Sequence, residues 1–181
     1  MVDRRVKRVI ISLFFFSQIV YFRGFFMYGL ISKKHLDEII INVVNTLGGG
    51  QNAINLLSET AMAETNYGDT PDLHLSSGYG IFQFDRPGFA DVQARTPQST
   101  KVLIQKVYNI DIDNVSILAL QWSPLLSTIF ARLFYLLRPG AIPSTLECRA
   151  AYWKQYYNTY SGAGTIAHYI EANSNQRFEN G

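Results

Sequence analysis

The chain has 181 residues, of which 48% are hydrophobic and 17% charged, and this composition excludes a disordered or collagen-like chain. One domain is the expectation at this length, because a core of this size is stable without disulfides or metals. The single cysteine, Cys148, excludes an internal disulfide and is expected to be a core thiol on an apolar helix face. The three histidines lie far apart, so we expect no metal site.

The net charge of +2 is unevenly distributed. Residues 1–34 carry seven basic side chains and one acid, whereas residues 35–181 carry nine basic and thirteen acidic side chains. Nucleic-acid binding depends on a surplus of positive charge. The acidic body of the chain therefore predicts no nucleic-acid partner.

Residues 1–31 are interpreted as a signal or anchor segment. A basic cluster at residues 4–8 precedes an uncharged, apolar run at residues 9–22. Its fourteen residues match the length of a signal-peptide core, whereas a helix that spans a bilayer needs about 20 apolar residues. Because no small-x-small cleavage site follows, we favour an uncleaved hydrophobic helix that associates with the inner membrane through residues 9–31. The alternatives are a removed signal, a buried helix and a true start at Met27.

From Ser32 onward the hydrophobic spacing is helical. Ser32 is the predicted cap of a helix over residues 33–47, which three glycines end, and a second helix follows over residues 51–67. The segment near residues 78–84 is predicted to be a short strand or extended turn. Further helices are predicted at residues 98–108, 114–121, 124–137, 145–158 and 164–173. The sequence therefore predicts one mainly α domain over residues 32–175, with a tail at residues 176–181.

The second helix carries two glutamates on different faces. At about 100° per residue, Glu64 falls within the apolar stripe of Leu57 and Ala61, whereas Glu59 falls on the opposite face. Burial disfavours a charged carboxylate and raises its pKa, as a general acid requires. We therefore expect Glu64 to be the catalytic acid and Glu59 to be solvated. The alternative is that Glu64 reaches water or pairs with a lysine.

Three motifs occur in a fixed order: Ala63-Glu64-Thr65, then residues 78–83 (GYGIFQ), then residues 156–159 (YYNT). Over about residues 33–172 they resemble the lysozyme-like superfamily, specifically its soluble lytic transglycosylase type. The resemblance implies a lysozyme-like α fold without a cofactor. It also implies cleavage of the β-1,4 bond between N-acetylmuramic acid and N-acetylglucosamine in peptidoglycan.

The resemblance implies that Glu64 acts as acid and then base, assisted by Tyr157. Glycines would let the backbone approach a sugar, and a glutamine amide would bind its N-acetyl or hydroxyl groups. The glycines could equally serve only a turn, and Tyr157 could be a core aromatic. The predicted substrate-binding residues are Thr65, Gly78, Gly80, Gln83, Asp85 and Asn158.

The reaction type depends on whether Glu64 has a second carboxylate. Hydrolases of the usual kind need two, whereas a transglycosylase needs one, because the sugar's own C6 hydroxyl attacks. Asp85 is the best second candidate but would also cap a helix with Pro87 in its first turn. Asp69 and Asp72 lie in the preceding loop. We therefore expect a transglycosylase, with a hydrolase as the alternative.

Two other classes of protein remain open. A cell-wall binding module would keep the fold without activity, but it has no need for a carboxyl on the buried face. A structural protein of the inner membrane would be defined by its first segment, but it leaves residues 78–83 unexplained. We expect a monomeric enzyme of the cell envelope or periplasm, tethered by its N-terminus or exported, whose partner is peptidoglycan.

Overall fold

The computed structural model describes residues 28–69, 78–159 and 162–174. These ranges form a mainly α fold without a regular strand, which confirms the predicted class. A 3-10 helix spans Ile117–Gln121 and a π-helix spans Lys154–Asn158. The α-helices of the described ranges are α1 (Lys33–Leu47), α2 (Gly50–Thr65), α3 (Arg86–Arg95), α4 (Gln98–Tyr108), α5 (Pro124–Leu136), α6 (Leu146–Trp153) and α7 (Ile166–Ser174).

Three helices begin at the side-chain caps that the sequence predicts, which are Ser32, Asp85 and Ser123. The Ser32 hydroxyl accepts a hydrogen bond from the His35 amide at 3.1 Å. At the start of α5 the Ser123 hydroxyl accepts a hydrogen bond from the Leu126 amide at 3.2 Å, and Pro124 is the first helical residue. Each such cap contributes about 1 kcal/mol, because it satisfies a backbone donor that has no partner within the helix.

Several helices differ from the prediction in extent or type. α2 ends at Thr65 instead of residue 67, because Asn66 and Tyr67 adopt left-handed backbone angles. The helix predicted over residues 145–158 is instead α6 followed by a π-helix. The helix predicted over residues 114–121 is instead the shorter 3-10 helix.

Two helices organise the core. α5 packs against α1, α2, α3 and the 3-10 helix, while α2 packs against α1, α5, α6 and α7. A buried hydrogen bond of 2.8 Å joins Thr60 of α2 to the Tyr135 hydroxyl of α5. Because α2 is enclosed from several sides, both of its faces meet protein.

This enclosure overturns the prediction that Glu59 is solvated. Its carboxylate forms a double hydrogen bond with Arg149, at 2.7 Å to Nε and 2.5 Å to Nη2. Arg149 is only 2% exposed, and Tyr169 also donates to Glu59 at 3.1 Å. The prediction was wrong because a helical wheel locates one apolar stripe, whereas α6 and α7 cover the opposite face. The core prediction for Cys148 was also wrong, since its side chain is exposed.

The core extends ahead of residue 32, the predicted domain boundary. Tyr28 is 2% exposed, and Leu30 is also buried. Gly29 has φ +82°, and a Cβ there would lie 2.7 Å from the Trp122 carbonyl oxygen. Residues 28–30 therefore pack as part of the domain.

The predicted anchor lies mostly outside the described residues, which begin at residue 28, and the predicted tail also lies outside them. Within the ranges that the structure describes, no helix combines the length and apolar character needed to cross a bilayer. The membrane association of residues 9–31 stays a prediction.

Candidate active site

A cleft of about 660 Å³ lies beside the end of α2. Its walls come from the turn before α3, the end of α5 and the π-helix. It brings together five of the predicted site residues: Glu64, Gln83, Asp85, Tyr157 and Asn158. Thr65, Gly78 and Gly80 do not belong to its lining.

Glu64 is the carboxyl group of this cleft whose pKa burial clearly shifts. Burial raises its pKa from the usual 4.5 to about 7, and a hydrogen bond from Trp153 partly opposes that rise. The Trp153 Nε1 donates to the Glu64 Oε1 at 3.1 Å. The carboxyl is therefore substantially protonated near neutral pH, which is the state in which it can donate a proton.

Trp153 is a site residue whose contact with Glu64 the sequence did not predict. It is the last residue of α6, and the π-helix that follows directs Tyr156 and Tyr157 toward the cleft. Short π-helical segments are frequent at functional sites, but no sequence rule places them. The available signal was that Trp153 precedes Tyr157 by four residues, a spacing that places both side chains on one helix face.

Tyr157 lies near Glu64, but the hydrogen bond to the Glu64 carboxyl comes from Trp153 and not from Tyr157. The Tyr157 hydroxyl donates to the Phe82 carbonyl at 2.7 Å, and its ring stacks on Tyr135 with centroids 5.3 Å apart. Burial and the charge of Glu64 hold the pKa of Tyr157 well above its usual value. Tyr157 is therefore a neutral phenol fixed against the turn, and its predicted assistance to the acid stays a prediction.

Residues 78–84, predicted as a short strand or extended turn, form a tight turn that an isolated bridge closes, without a strand. Tyr79 and Phe84 form an isolated antiparallel bridge with two hydrogen bonds of 3.0 Å. Gly80, at φ +71°, donates to Gln121 at 2.9 Å, and a Cβ there would meet the Leu120 carbonyl and the Ser127 hydroxyl. A glycine is needed at this position because the turn lies close to the 3-10 helix and α5. Gly80 therefore lets the backbone approach other parts of the protein, and it does not face the cleft.

Thr65 and Gly78 also hold this turn in place. The Thr65 hydroxyl donates to the Ile81 carbonyl at 2.8 Å and accepts from the Gly68 amide at 3.0 Å. A Cβ on Gly78 would lie 2.6 Å from the Gln83 Oε1. Thr65 thus connects the end of α2, which carries Glu64, to the turn, while Gly78 lets the backbone pass close to the Gln83 side chain.

The three remaining predicted residues line the cleft and also have partners within the protein. The Gln83 amide donates to the Gly80 carbonyl at 3.0 Å and to the Tyr28 hydroxyl at 3.1 Å. Asp85 caps α3 by accepting from the Gly88 amide at 2.7 Å, as the helix-cap alternative predicts. Asn158 accepts from Lys154 at 2.8 Å. Each side chain is therefore oriented before any ligand binds.

Of the other candidate carboxylates, Asp91 and Asp69 are already paired. Asp91 lines the cleft and forms ion pairs with Arg138 at 2.8 Å and Arg95 at 3.2 Å. Asp69 pairs with Lys33 at 3.6 Å, and Asp72 lies outside the described residues. Asp85, exposed at the cleft, is left as the second carboxylate to consider with Glu64. Among the residues described, no group of three His, Cys, Asp or Glu side chains could hold a metal ion.

Comparison with known proteins identifies no relative of this chain. No family model, no curated protein and no solved structure matches it. The functional argument therefore depends on the cleft itself. There, a carboxyl with a pKa of about 7 lies in the same cleft as an aromatic wall and two carboxamide side chains.

Proposed function

We propose that this protein cleaves the glycan strands of peptidoglycan at the bond between N-acetylmuramic acid and N-acetylglucosamine, as a lysozyme-like lytic transglycosylase. One observation carries the proposal: a glutamic acid with a pKa near 7 lies in a cleft of about 660 Å³. The order of the three sequence motifs supports it, because their residues Glu64, Gln83 and Tyr157 all line this cleft. The lysozyme-like form of the α fold is part of the proposal.

Glu64 supplies the proton that the leaving group needs. In its protonated form it donates to the glycosidic oxygen as the bond to the muramic acid carbon breaks. It is then a carboxylate and takes the proton from the C6 hydroxyl of the same sugar as that oxygen attacks the anomeric carbon. The products are a free N-acetylglucosamine hydroxyl and a 1,6-anhydro ring, and no water is consumed.

The cleft also suits a sugar with N-acetyl groups. Its volume lies in the range of small-molecule sites, and rings of Phe84, Phe134, Tyr156 and Tyr157 line it. Aromatic rings give sugars an apolar contact surface, while carboxamides such as those of Gln83 and Asn158 offer donors and acceptors. The proposed place of action is the cell envelope, where residues 9–31 would tether a monomeric enzyme.

A hydrolytic muramidase is the second candidate, and Asp85 is the observation that favours it. Asp85 lines the same cleft as Glu64, so its carboxylate could act on a water or on the sugar carbon. Its use as the cap of α3 argues against that role, because one oxygen already accepts from the Gly88 amide. The chemical form of the product distinguishes the two reactions.

The deciding experiment is mass analysis of purified peptidoglycan after digestion with the full chain. We expect 1,6-anhydromuramic ends to exceed reducing ends for the unaltered protein. Glu64→Gln should abolish digestion, because the amide keeps the size of the side chain but holds no acidic proton. Glu171→Gln, on the exposed side of α7, is the matched control and should digest normally.

Three results would contradict the proposal. Digestion by Glu64→Gln at the normal rate would exclude Glu64 as the acid. Reducing ends alone, together with an Asp85→Asn variant as inactive as Glu64→Gln, would identify a hydrolase instead. Absence of any digestion by the unaltered chain would favour the wall-binding alternative.

A further inference from the structure

A second cavity, of about 320 Å³, shares Arg138 with the candidate active site. It lies between the turn that joins α1 to α2 and the loop that follows α5. Arg132 of α5 also lines it. Two guanidinium groups therefore border one small cavity that has no part in the proposed cleavage step.

Arg132 is a buried cation for which the described part of the chain supplies no anion. It is 3% exposed, and its Nε donates to the Gly48 carbonyl at 2.9 Å, at the end of α1. Across the described ranges, no carboxylate lies within ion-pair distance of it. Burial lowers its pKa, as expected for a charge removed from water. An unpaired buried charge is costly, so this position favours a bound counter-ion.

Two further donors lie in the same region without acceptors among the described residues. Arg138 pairs with Asp91 through Nη2, but its Nε is buried and has no hydrogen-bond partner there. The Tyr152 hydroxyl is buried and unpartnered in the same way, and the charges of both arginines act on it. The region therefore has a surplus of donors over acceptors.

Gly49 leaves room beside the Arg132 guanidinium. Its backbone angle is φ +119°, and a Cβ there would lie 2.5 Å from the Arg132 Nη2. Any larger residue would thus occupy space next to the donors. The glycine turn keeps this end of the guanidinium open toward the cavity.

We propose that this cavity binds a carboxylate between Arg132 and Arg138, and that an acidic peptide branch of peptidoglycan supplies it. The planar fork of a guanidinium matches the two oxygens of a carboxylate. The second half of the inference rests on the proposed function. Since Arg138 borders both cavities, a glycan strand in the cleft could extend a peptide branch past Arg138 to Arg132.

The test is a titration of the full chain, in mild detergent, with the dipeptide N-acetyl-L-alanyl-D-glutamate. Its diamide, which carries no charge because the amino end is acetylated and both carboxyls are amides, is the matched ligand. We expect the acid to raise the melting temperature and the diamide to leave it unchanged. Arg132→Met should weaken binding of the acid by about tenfold or more, because a hydrogen bond to a charged group contributes about 1.5–3 kcal/mol. Lys106→Met, which removes an exposed cation on α4, should bind normally.

Equal shifts by the acid and the diamide would overturn the carboxylate site, and so would an Arg132→Met variant that still prefers the acid. The comparison of the acid with the diamide uses the unaltered chain, so it tests the carboxylate site even if Arg132→Met fails to fold. Such results would mean that the Gly48 carbonyl and the negative end of α1 suffice to stabilise Arg132.

A second readout tests the source of the carboxylate. The unaltered chain should cleave intact peptidoglycan with a lower KM than peptide-free glycan strands, and Arg132→Met should reduce that preference by about tenfold. An undiminished preference would overturn the role of the peptide branch. Failure of the unaltered chain to cleave either substrate would refute the proposed function alone, since the dipeptide titration requires no cleavage.

Discussion

The environment of Glu64 combines burial with one hydrogen-bond donor. Desolvation alone favours the protonated carboxyl, whereas the Trp153 donor favours the carboxylate, and the balance leaves a pKa of about 7. A general acid works best when its pKa is near the working pH, because it must hold a proton and also release it. Burial and the Trp153 hydrogen bond together therefore bring the pKa of Glu64 to a value at which the carboxyl can both donate and accept a proton.

The raised pKa has a consequence for stability that does not depend on any substrate. Between about pH 4.5 and pH 7 the folded chain holds a proton at Glu64 that the unfolded chain has lost. The free energy of unfolding therefore decreases as the pH rises, by about 3 kcal/mol for this group. Glu64→Gln does not titrate, so at pH 8 we expect it to be more stable than the unaltered chain, and about equally stable at pH 4.

Urea unfolding at the two pH values checks this expectation. Glu171→Gln is again the control, and its stability should follow that of the unaltered chain at both. If Glu64→Gln and the unaltered chain lost the same stability between pH 4 and pH 8, the carboxyl would not be desolvated.

Trp153 should control the pH range of cleavage. Trp153→Phe removes the donor to Glu64 and keeps an aromatic ring, so the pKa of Glu64 should rise further. The alkaline limb of the pH–rate profile should move up by about one unit. Trp122→Phe, at an indole that is 70% exposed, should leave the limb in place. A limb that stayed fixed or moved down in Trp153→Phe would show that the hydrogen bond does not tune the acid.

At the scale of secondary structure, the predictable features are those that depend on neighbours in sequence. Ser32 and Ser123 cap helices as predicted, because a cap bonds to an amide three residues away. Glu64 could be assigned to a buried face from its own helix. Gly80 could not be understood in this way, because the atoms that require a glycine belong to Leu120 and Ser127, about forty residues later.

Hydrogen bonds of Glu59 connect α2 to α6 and α7, although local sequence patterns give no sign that these helices are in contact. Its carboxylate binds Arg149 of α6 and Tyr169 of α7, and its backbone carbonyl accepts from Asn173 at 3.1 Å. Arg149 and Tyr169 lie 90 and 110 residues away along the chain, beyond the reach of any local pattern.

Glu59→Gln should therefore destabilise the fold without altering the chemistry. It leaves a buried guanidinium without its anion, and removal of one partner of such a pair costs about 3–5 kcal/mol. Guanidinium chloride unfolding measures the loss, with Glu38→Gln on the exposed face of α1 as the control. Any digestion by the folded fraction should still give 1,6-anhydro ends. A loss below about 0.5 kcal/mol, the usual range of surface changes, would contradict the structural role.

For the molecule as a whole, the class of fold was predictable and the contacts between helices were not. Apolar spacing identifies which residues turn inward, and Leu36, Ile40, Val43 and Val44 of α1 are buried accordingly. It does not identify which helix covers them. The cleft depends on such contacts, because Glu64 from α2 meets Trp153 from α6 only after α6 and α7 have packed onto α2.

The start of the folded unit can be located by truncation. Tyr28 and Leu30 are buried, and the Tyr28 hydroxyl accepts from Gln83 in the cleft wall. A chain that begins at Ser32 should be less stable than one that begins at Met27 by about 3 kcal/mol or more, because each buried side chain contributes about 1.5–3 kcal/mol. Thermal and urea unfolding of the two fragments measure the difference. Equal stability would show that residues 28–31 contribute nothing to the core.

The exposed position of Cys148 makes the chain suited to site-specific labelling. It is the single thiol of the sequence, so a maleimide dye or a nitroxide would attach at one place without any prior substitution. It lies on α6, five residues before Trp153, on the helix that continues into the π-helical wall of the cleft. A probe at this position would report, by fluorescence or electron spin resonance, whether that wall moves when a glycan strand enters.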